Sequence, residues 1–177
     1  MTDHNEKLLK MLSTALEMEE KGTAFYKKAA LECRNELGKK MFESLAADEI
    51  VHIERIKEIF SSLESTQKMD SKWEGFKSRG QNMEAFFRDF TARNKTNVKA
   101  DSSDVKALDV GIDLEQKAIR HYEGALPGAT DGLERRFVEK MIAEERKHFK
   151  LLSDAKFYLT DPDGYFTETE HHNLDAG

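Results

Sequence analysis

One cysteine, Cys33, is all that this chain of 177 residues contains. That excludes disulfides within the chain, a four-cysteine zinc or iron site, and any CxxC redox motif. Cys33 itself reads as a small apolar residue on a helix face. Proline is equally scarce: Pro127 and Pro162 are the two present, so little interrupts long helices. No apolar run approaches the roughly 20 residues of a membrane span. The start, "MTDHNEKLLKML", lacks the basic n-region and long apolar middle of a signal peptide, so a cytoplasmic location is expected. The formal charge is −6, with no Lys/Arg stripe interleaved with aromatics. Neither a nucleic-acid nor a membrane partner is therefore expected. GxGxxG, P-loop and GxSxG motifs are all absent.

What is present is helical periodicity. Steps of three and four residues trace four apolar stripes, the seams by which bundle helices pack. The first runs Leu8, Leu12, Ala15, Glu19, Gly22, Tyr26, Ala29, Cys33. The second runs Phe42, Leu45, Glu49, His52, Ile56, Ile59, Leu63. The third is Leu108, Gly111, Glu115, Ala118, Tyr122, Ala125, and the fourth Val138, Met141, Glu145, His148, Leu152, Ala155, Leu159. Each stripe is apolar except for a glutamate near its middle, joined by a histidine or a tyrosine.

Short connections at "CRNELGKK" (33–40) and "LPGATDG" (126–132) make the flanking helices antiparallel neighbours. Between the second and third helices lies a long connection, about 65–101, with Trp73 and the apolar cluster "MEAFFRDF" (83–90). A loop of that length must cross the domain or carry structure, and a crossover with a short helix is expected. The fold class is all-α: a four-helix bundle over 1–160, followed by an irregular C-terminal tail over 161–177. The chain also repeats itself. A shift of 96 residues carries Glu19 onto Glu115, Tyr26 onto Tyr122, Glu49 onto Glu145, His52 onto His148 and Asp48 onto Glu144. That is the signature of a duplicated helical hairpin, which brings the polar positions of both halves to one level.

Four glutamates in one core are costly unless protonated, paired or bound to metal. No Lys or Arg lies on any of the four stripes. Two divalent cations would neutralise the four carboxylates. Residues three apart on a helix lie on neighbouring positions of one face, so Glu49 with His52, and Glu145 with His148, can serve one site. One Glu from each of two helices and a Glu-x-x-His from each of two more is the ligand pattern of ferritin-like di-iron and di-manganese carboxylate proteins. Oxygen and imidazole ligands without thiolate favour iron, with manganese possible. Tyr26 and Tyr122 follow their glutamates by two turns. Each is either a core aromatic or a donor to a ligating carboxylate of another helix. Gly22 and Ala118, three residues after Glu19 and Glu115, either permit close helix packing or leave space beside the metals. His4 is read as solvated, His121 as a surface or interface residue, and the "EHHN" run with His171 and His172 as part of a flexible or docked tail.

The stretches "ALEMEEKGTAFYKKAA" (15–30), "LAADEIVHIERI" (45–56), "ALDVGIDLEQKAIRHYEGAL" (107–126) and "IAEERKHFKLLSDAKFYLTDPDGYF" (142–166) resemble the four helices of the rubrerythrin branch of the ferritin-like superfamily. The resemblance implies a ferritin-like four-helix bundle with two iron ions on Glu19, Glu49, His52, Glu115, Glu145 and His148. It further implies a di-iron oxidoreductase that reduces hydrogen peroxide with electrons from an external donor, such as a rubredoxin-like protein, and a homodimer. Two departures stand out. The four cysteines of the rubredoxin-like domain are missing. The extra glutamate that rubrerythrins carry three residues after the third-helix ligand is Ala118 here. A ferroxidase acting with dioxygen, or a helical interaction module with a structural metal, are the alternative expectations.

Overall fold

The computed structural model describes residues 3–78, 82–95 and 101–175. Six α-helices account for most of them: α1 (Asp3–Glu32), α2 (Glu36–Thr66), α3 (Met83–Arg93), α4 (Ser102–Ala125), α5 (Gly132–Thr160) and α6 (Pro162–Asp175). Among the described residues there is no strand. Helices α1, α2, α4 and α5 form the bundle, with α1 packed along α2 and α4 along α5. This is the duplicated hairpin that the 96-residue repeat predicts.

Short polar residues set the helix starts. Asn35 accepts from the backbone N–H groups of Leu37 (2.9 Å) and Gly38 (3.3 Å), which opens α2 three residues after α1 ends. Asp101 and Asp131 do the same for α4 and α5. Each such cap contributes about 1 kcal/mol. Asp104, buried on α4, accepts from the backbone N–H of Asn35 at 3.2 Å and so pins the α1–α2 turn to the second hairpin. Cys33 lies in that turn, just past the end of α1 rather than on a helix face, and is half-buried.

The long connection between α2 and α4 carries a 3-10 turn at Lys72–Gly75 and the expected short helix, α3. Trp73 is buried against Phe137 of α5, with ring centroids 5.4 Å apart. The tail departs from expectation. It is not irregular, since α6 begins at Pro162. The turn-like run Asp161–Gly164 is a helix start: Asp161 Oδ1 accepts from the Gly164 N–H at 3.0 Å, and proline at the first helical position forfeits no hydrogen bond. Tyr165 and Phe166 then dock on Tyr158, with centroids 5.6 and 6.1 Å away. His171 and His172 fall in the last turns of α6, and their side chains lie outside the described residues.

Two apolar clusters fill the bundle. One gathers Tyr26, Phe42, Phe87, Leu108, Leu152 and Tyr158; the other Leu12, Ile56, Ile59, Trp73, Tyr122 and Phe137. A layer of ionisable side chains from the middle of all four bundle helices separates them. No helix among the described residues is long and apolar enough to cross a membrane.

Candidate metal centre

Glu19, Glu49, His52, Glu115, Glu145 and His148 are all buried and meet in that layer. Their ligand atoms fall into two overlapping sets, each within 4.8 Å of one another. One set is Glu19, Glu49, His52 and Glu145; the other is Glu49, Glu115, Glu145 and His148. Glu49 and Glu145 are common to both sets, while Glu19 and Glu115 each belong to one. Periodicity alone placed all six on the core face, but did not distinguish shared from terminal carboxylates.

The local geometry repeats the pseudo-symmetry. His52 Nδ1 lies 3.0 Å from Glu49 and 3.1 Å from Glu145, and His148 Nδ1 lies 3.3 Å from Glu49 and 3.5 Å from Glu145. The two imidazole rings stack with centroids 5.6 Å apart. Tyr122 donates to Glu19 at 2.7 Å, and Tyr26 donates to Glu115. The tyrosine of each half therefore orients the terminal carboxylate of the other half. Burial, and the charge of the carboxylate each one faces, push both phenols well above their usual pKa, which keeps them protonated donors.

The outer edges of the histidines were not anticipated. His52 Nε2 lies 3.0 Å from Glu144, and His148 Nε2 lies 3.6 Å from Asp48. An N–H at Nε2 turned toward a carboxylate leaves Nδ1 free to bind a metal. Glu144 also accepts from Arg55, a residue only 1% exposed, whose Nη2 and Nε donate to the Phe76 carbonyl of the crossover at 2.8 and 3.2 Å. Lys140 completes the cluster, 3.1 Å from Glu144. Arg55 was missed because it lies beside the stripe that carries His52, on a helix otherwise rich in solvated charge. The repeat held the available clue, since Asp48 and Glu144 correspond. It is broken at Arg55 itself, whose counterpart 96 residues on is Leu151.

Electrostatics show how the metal-free core stays neutral. Burial, reinforced by the neighbouring Glu145 charge, pushes Glu19 and Glu115 well above the usual carboxylate range. Burial and the Glu145 charge also oppose ionisation of Glu49, yet the His52 charge and the proximity of Glu19 and His148 hold it at about 2. Glu145 is likewise held well below the usual range, its burial outweighed by the charges of the neighbouring His52 and His148. The histidines move the other way. Burial opposes their charge, but Glu145 and Glu49 raise His52, and the carboxylates around it, Asp48 and Glu115 foremost, raise His148. Two carboxylic acids, two carboxylates and two imidazoliums sum to zero.

These residues fit two metal ions. Neither oxygen of Glu145 has a hydrogen-bond partner although the residue is fully buried, and the Nδ1 of His148 is likewise unpartnered. Glu145 belongs to both ligand sets and His148 to one. Two divalent ions would replace the protons on Glu19, Glu115, His52 and His148 without changing the charge of the core.

Two cavities flank the centre. One, of about 290 Å³, lies under the crossover on the histidine side, where Asp48, Arg55, Glu144 and Lys147 line it. The other, of about 280 Å³, opens between α1 and α4 and reaches all four glutamates. Gly22 and Ala118 both line it. A Cβ at Gly22 would stand 3.7 Å from Glu49, an ordinary contact, so packing does not demand glycine there. The closely packed glycine is Gly111, where a Cβ would meet Leu152 at 3.2 Å and Tyr26 at 3.3 Å.

His4 and His121 make their contacts elsewhere. His4 is 3.0 Å from Glu134, and half-buried His121 packs against α1 with Nε2 3.1 Å from the Met11 carbonyl. Comparison with known proteins gives one family: residues 10–156 match the rubrerythrin family model. No curated protein and no solved structure matches the chain.

Proposed function

Because the chain belongs to the rubrerythrin family, we propose that it is a di-iron oxidoreductase that reduces hydrogen peroxide with electrons from an external donor. The observation that supports this reading most is the pair of overlapping ligand sets bridged by Glu49 and Glu145, open on one side to a cavity. Ligation by carboxylate and imidazole alone suits iron, with manganese second. Bound there, two ferrous ions supply the two electrons that peroxide reduction consumes.

The protein's own contribution is positional. Glu49 and Glu145, common to both ligand sets, and Glu19 and Glu115, one in each, would hold the two ions, and the tyrosine hydroxyls fix the Glu19 and Glu115 carboxylates by hydrogen bonding. Glu144 and Asp48 orient the imidazoles, and the two apolar clusters close the layer at either end of the bundle. With Cys33 as the only thiol, these 177 residues offer no cysteine-bound iron to pass electrons inward. A separate one-electron carrier, for instance a rubredoxin-like protein, resets the centre.

Anaerobic protein loaded with Fe(II) and mixed with hydrogen peroxide or with dioxygen tests the reading. Rapid oxidation by one peroxide per pair of irons, ceasing until a reductant is added, is the expected result. Bound iron that is inert to peroxide would instead make the metal structural. Faster oxidation by dioxygen than by peroxide would make the protein an iron oxidase.

A further inference from the structure

The cavity between α1 and α4 is far larger than hydrogen peroxide requires. A space of about 10–15 Å³ measured with a water-sized probe already holds one water molecule; this one measures about 280 Å³. Two metal ions are too small to fill it. Half-buried Met18 and Leu114 and buried Gly22 and Ala118 form its apolar walls, exposed Lys21 and Lys117 line its solvent side, and its floor is the four glutamates. Both oxygens of Glu145, buried and without a hydrogen-bond partner, face that floor. The small residues are not explained by packing, since Gly22 would accept a Cβ at ordinary contact distance. A polar floor beneath an apolar shaft is the form of a site for a ligand with one polar end and one apolar end. The cavity on the histidine side suits such a ligand less, because charged Asp48, Arg55, Glu84, Glu144 and Lys147 stand among its apolar residues.

We propose that this centre takes organic hydroperoxides, ROOH with a compact apolar R group, through the α1–α4 cavity. This rests on the peroxide-reducing reading above and specifies its substrate class. The tail R lies against Met18, Leu114, Gly22 and Ala118, which directs the O–O bond to the glutamate floor. The reaction is ROOH + 2 e⁻ + 2 H⁺ → ROH + H₂O. The O–O bond breaks, and two O–H bonds form with protons from solvent. The electrons come from the reduced metal pair and are restored by the one-electron carrier, and the alcohol leaves through the same opening.

Two measurements test this. In the first, redox-inert protein loaded with Zn(II) is mixed with tert-butyl hydroperoxide and observed by saturation-transfer NMR. Saturation transfer to the tert-butyl methyls is expected in the wild type. It should weaken in Gly22→Ala, which the local spacing accommodates, and vanish in Ala118→Leu. In the second, Fe(II)-loaded protein is oxidised anaerobically by tert-butyl hydroperoxide or by hydrogen peroxide, each variant being checked for helicity and metal content first. Filling the shaft should lower the ratio of the two rate constants by about tenfold or more, the scale of a misfit methyl group in an apolar pocket. If hydrogen peroxide reacts and tert-butyl hydroperoxide neither binds nor reacts, this inference is overturned and the peroxide-reducing reading stands. An unchanged ratio in both variants also overturns it. If neither peroxide oxidises protein that holds two irons, the peroxide-reducing reading falls and takes the inference with it.

Discussion

Arg55 shows how much one side chain outside the ligand set can carry. It is buried, it binds Glu144 on α5 and the Phe76 carbonyl of the crossover, and through Glu144 it reaches the outer edge of His52. Arg55→Leu would leave the Phe76 carbonyl without its side-chain donor and Glu144 with His52 and Lys140 alone. Removing one partner of a buried ion pair costs about 3–5 kcal/mol; with Lys140 still beside Glu144, a loss of about 3 kcal/mol is expected. Urea denaturation of the metal-free protein measures it. A loss below about 1 kcal/mol would mean that the pair behaves as a solvated surface bridge. Arg55→Lys should recover only part of the loss, because an ammonium lacks the fork that spans both partners. Of the site residues, the six ligand candidates and both tyrosines were legible from spacing, since each sits on an apolar stripe where a polar side chain needs a reason. Arg55 and the pairing of Glu144 with His52 were not. Both lie one step off those stripes, where charge is the ordinary occupant and only three-dimensional contact sets them apart.

At the level of elements, the four bundle helices and the helix within the crossover followed from periodicity and from the lengths of the connections. The tail did not. "TDPDGYF" carries strong turn signals, and the same residue types begin helices. What decides in favour of helix is tertiary: the rings of Tyr165 and Phe166 close over Tyr158, and Tyr165 also packs against Phe87 at 5.8 Å. Tyr165→Ala should therefore uncover Tyr158 and Phe87 and lower stability by about 2 kcal/mol, below the 3–5 kcal/mol of a fully buried aromatic because Tyr165 is only partly buried. Metal content should remain at two per chain. A fall in metal content together with stability would mean that α6 supports the centre as well as the apolar end of the bundle.

For the molecule as a whole, the duplicated hairpin concentrates six ionisable groups between two apolar clusters, and protons keep that layer neutral when metal is absent. Glu19 and Glu115 hold their protons well above the ordinary carboxylate value of 4.5, so the folded protein retains protons that the unfolded chain has released. His52 and His148 do so above 6.5. Each of these four groups lowers stability as pH rises, by about 1.4 kcal/mol per pH unit while its proton difference lasts. Glu49 and Glu145 act in the opposite sense only in acid, since their stabilisation is complete above the ordinary value and is lost as pH falls below it. The metal-free protein should thus melt at a lower temperature at pH 8 than at pH 6.5, and the gain on loading metal should be larger at the higher pH. Calorimetry at the two pH values checks this. A melting temperature that rises with pH in the metal-free protein would contradict the charge assignment.

The central claim is that two metal ions occupy this layer in place of four protons, one each on Glu19, Glu115, His52 and His148. Anaerobic calorimetric titration of metal-free protein with Fe(II) near neutral pH, repeated in buffers of different ionisation enthalpy, counts ions and protons together. The account predicts two ions bound per chain and about four protons released. One ion or none, or two ions bound with no release of protons, would contradict it.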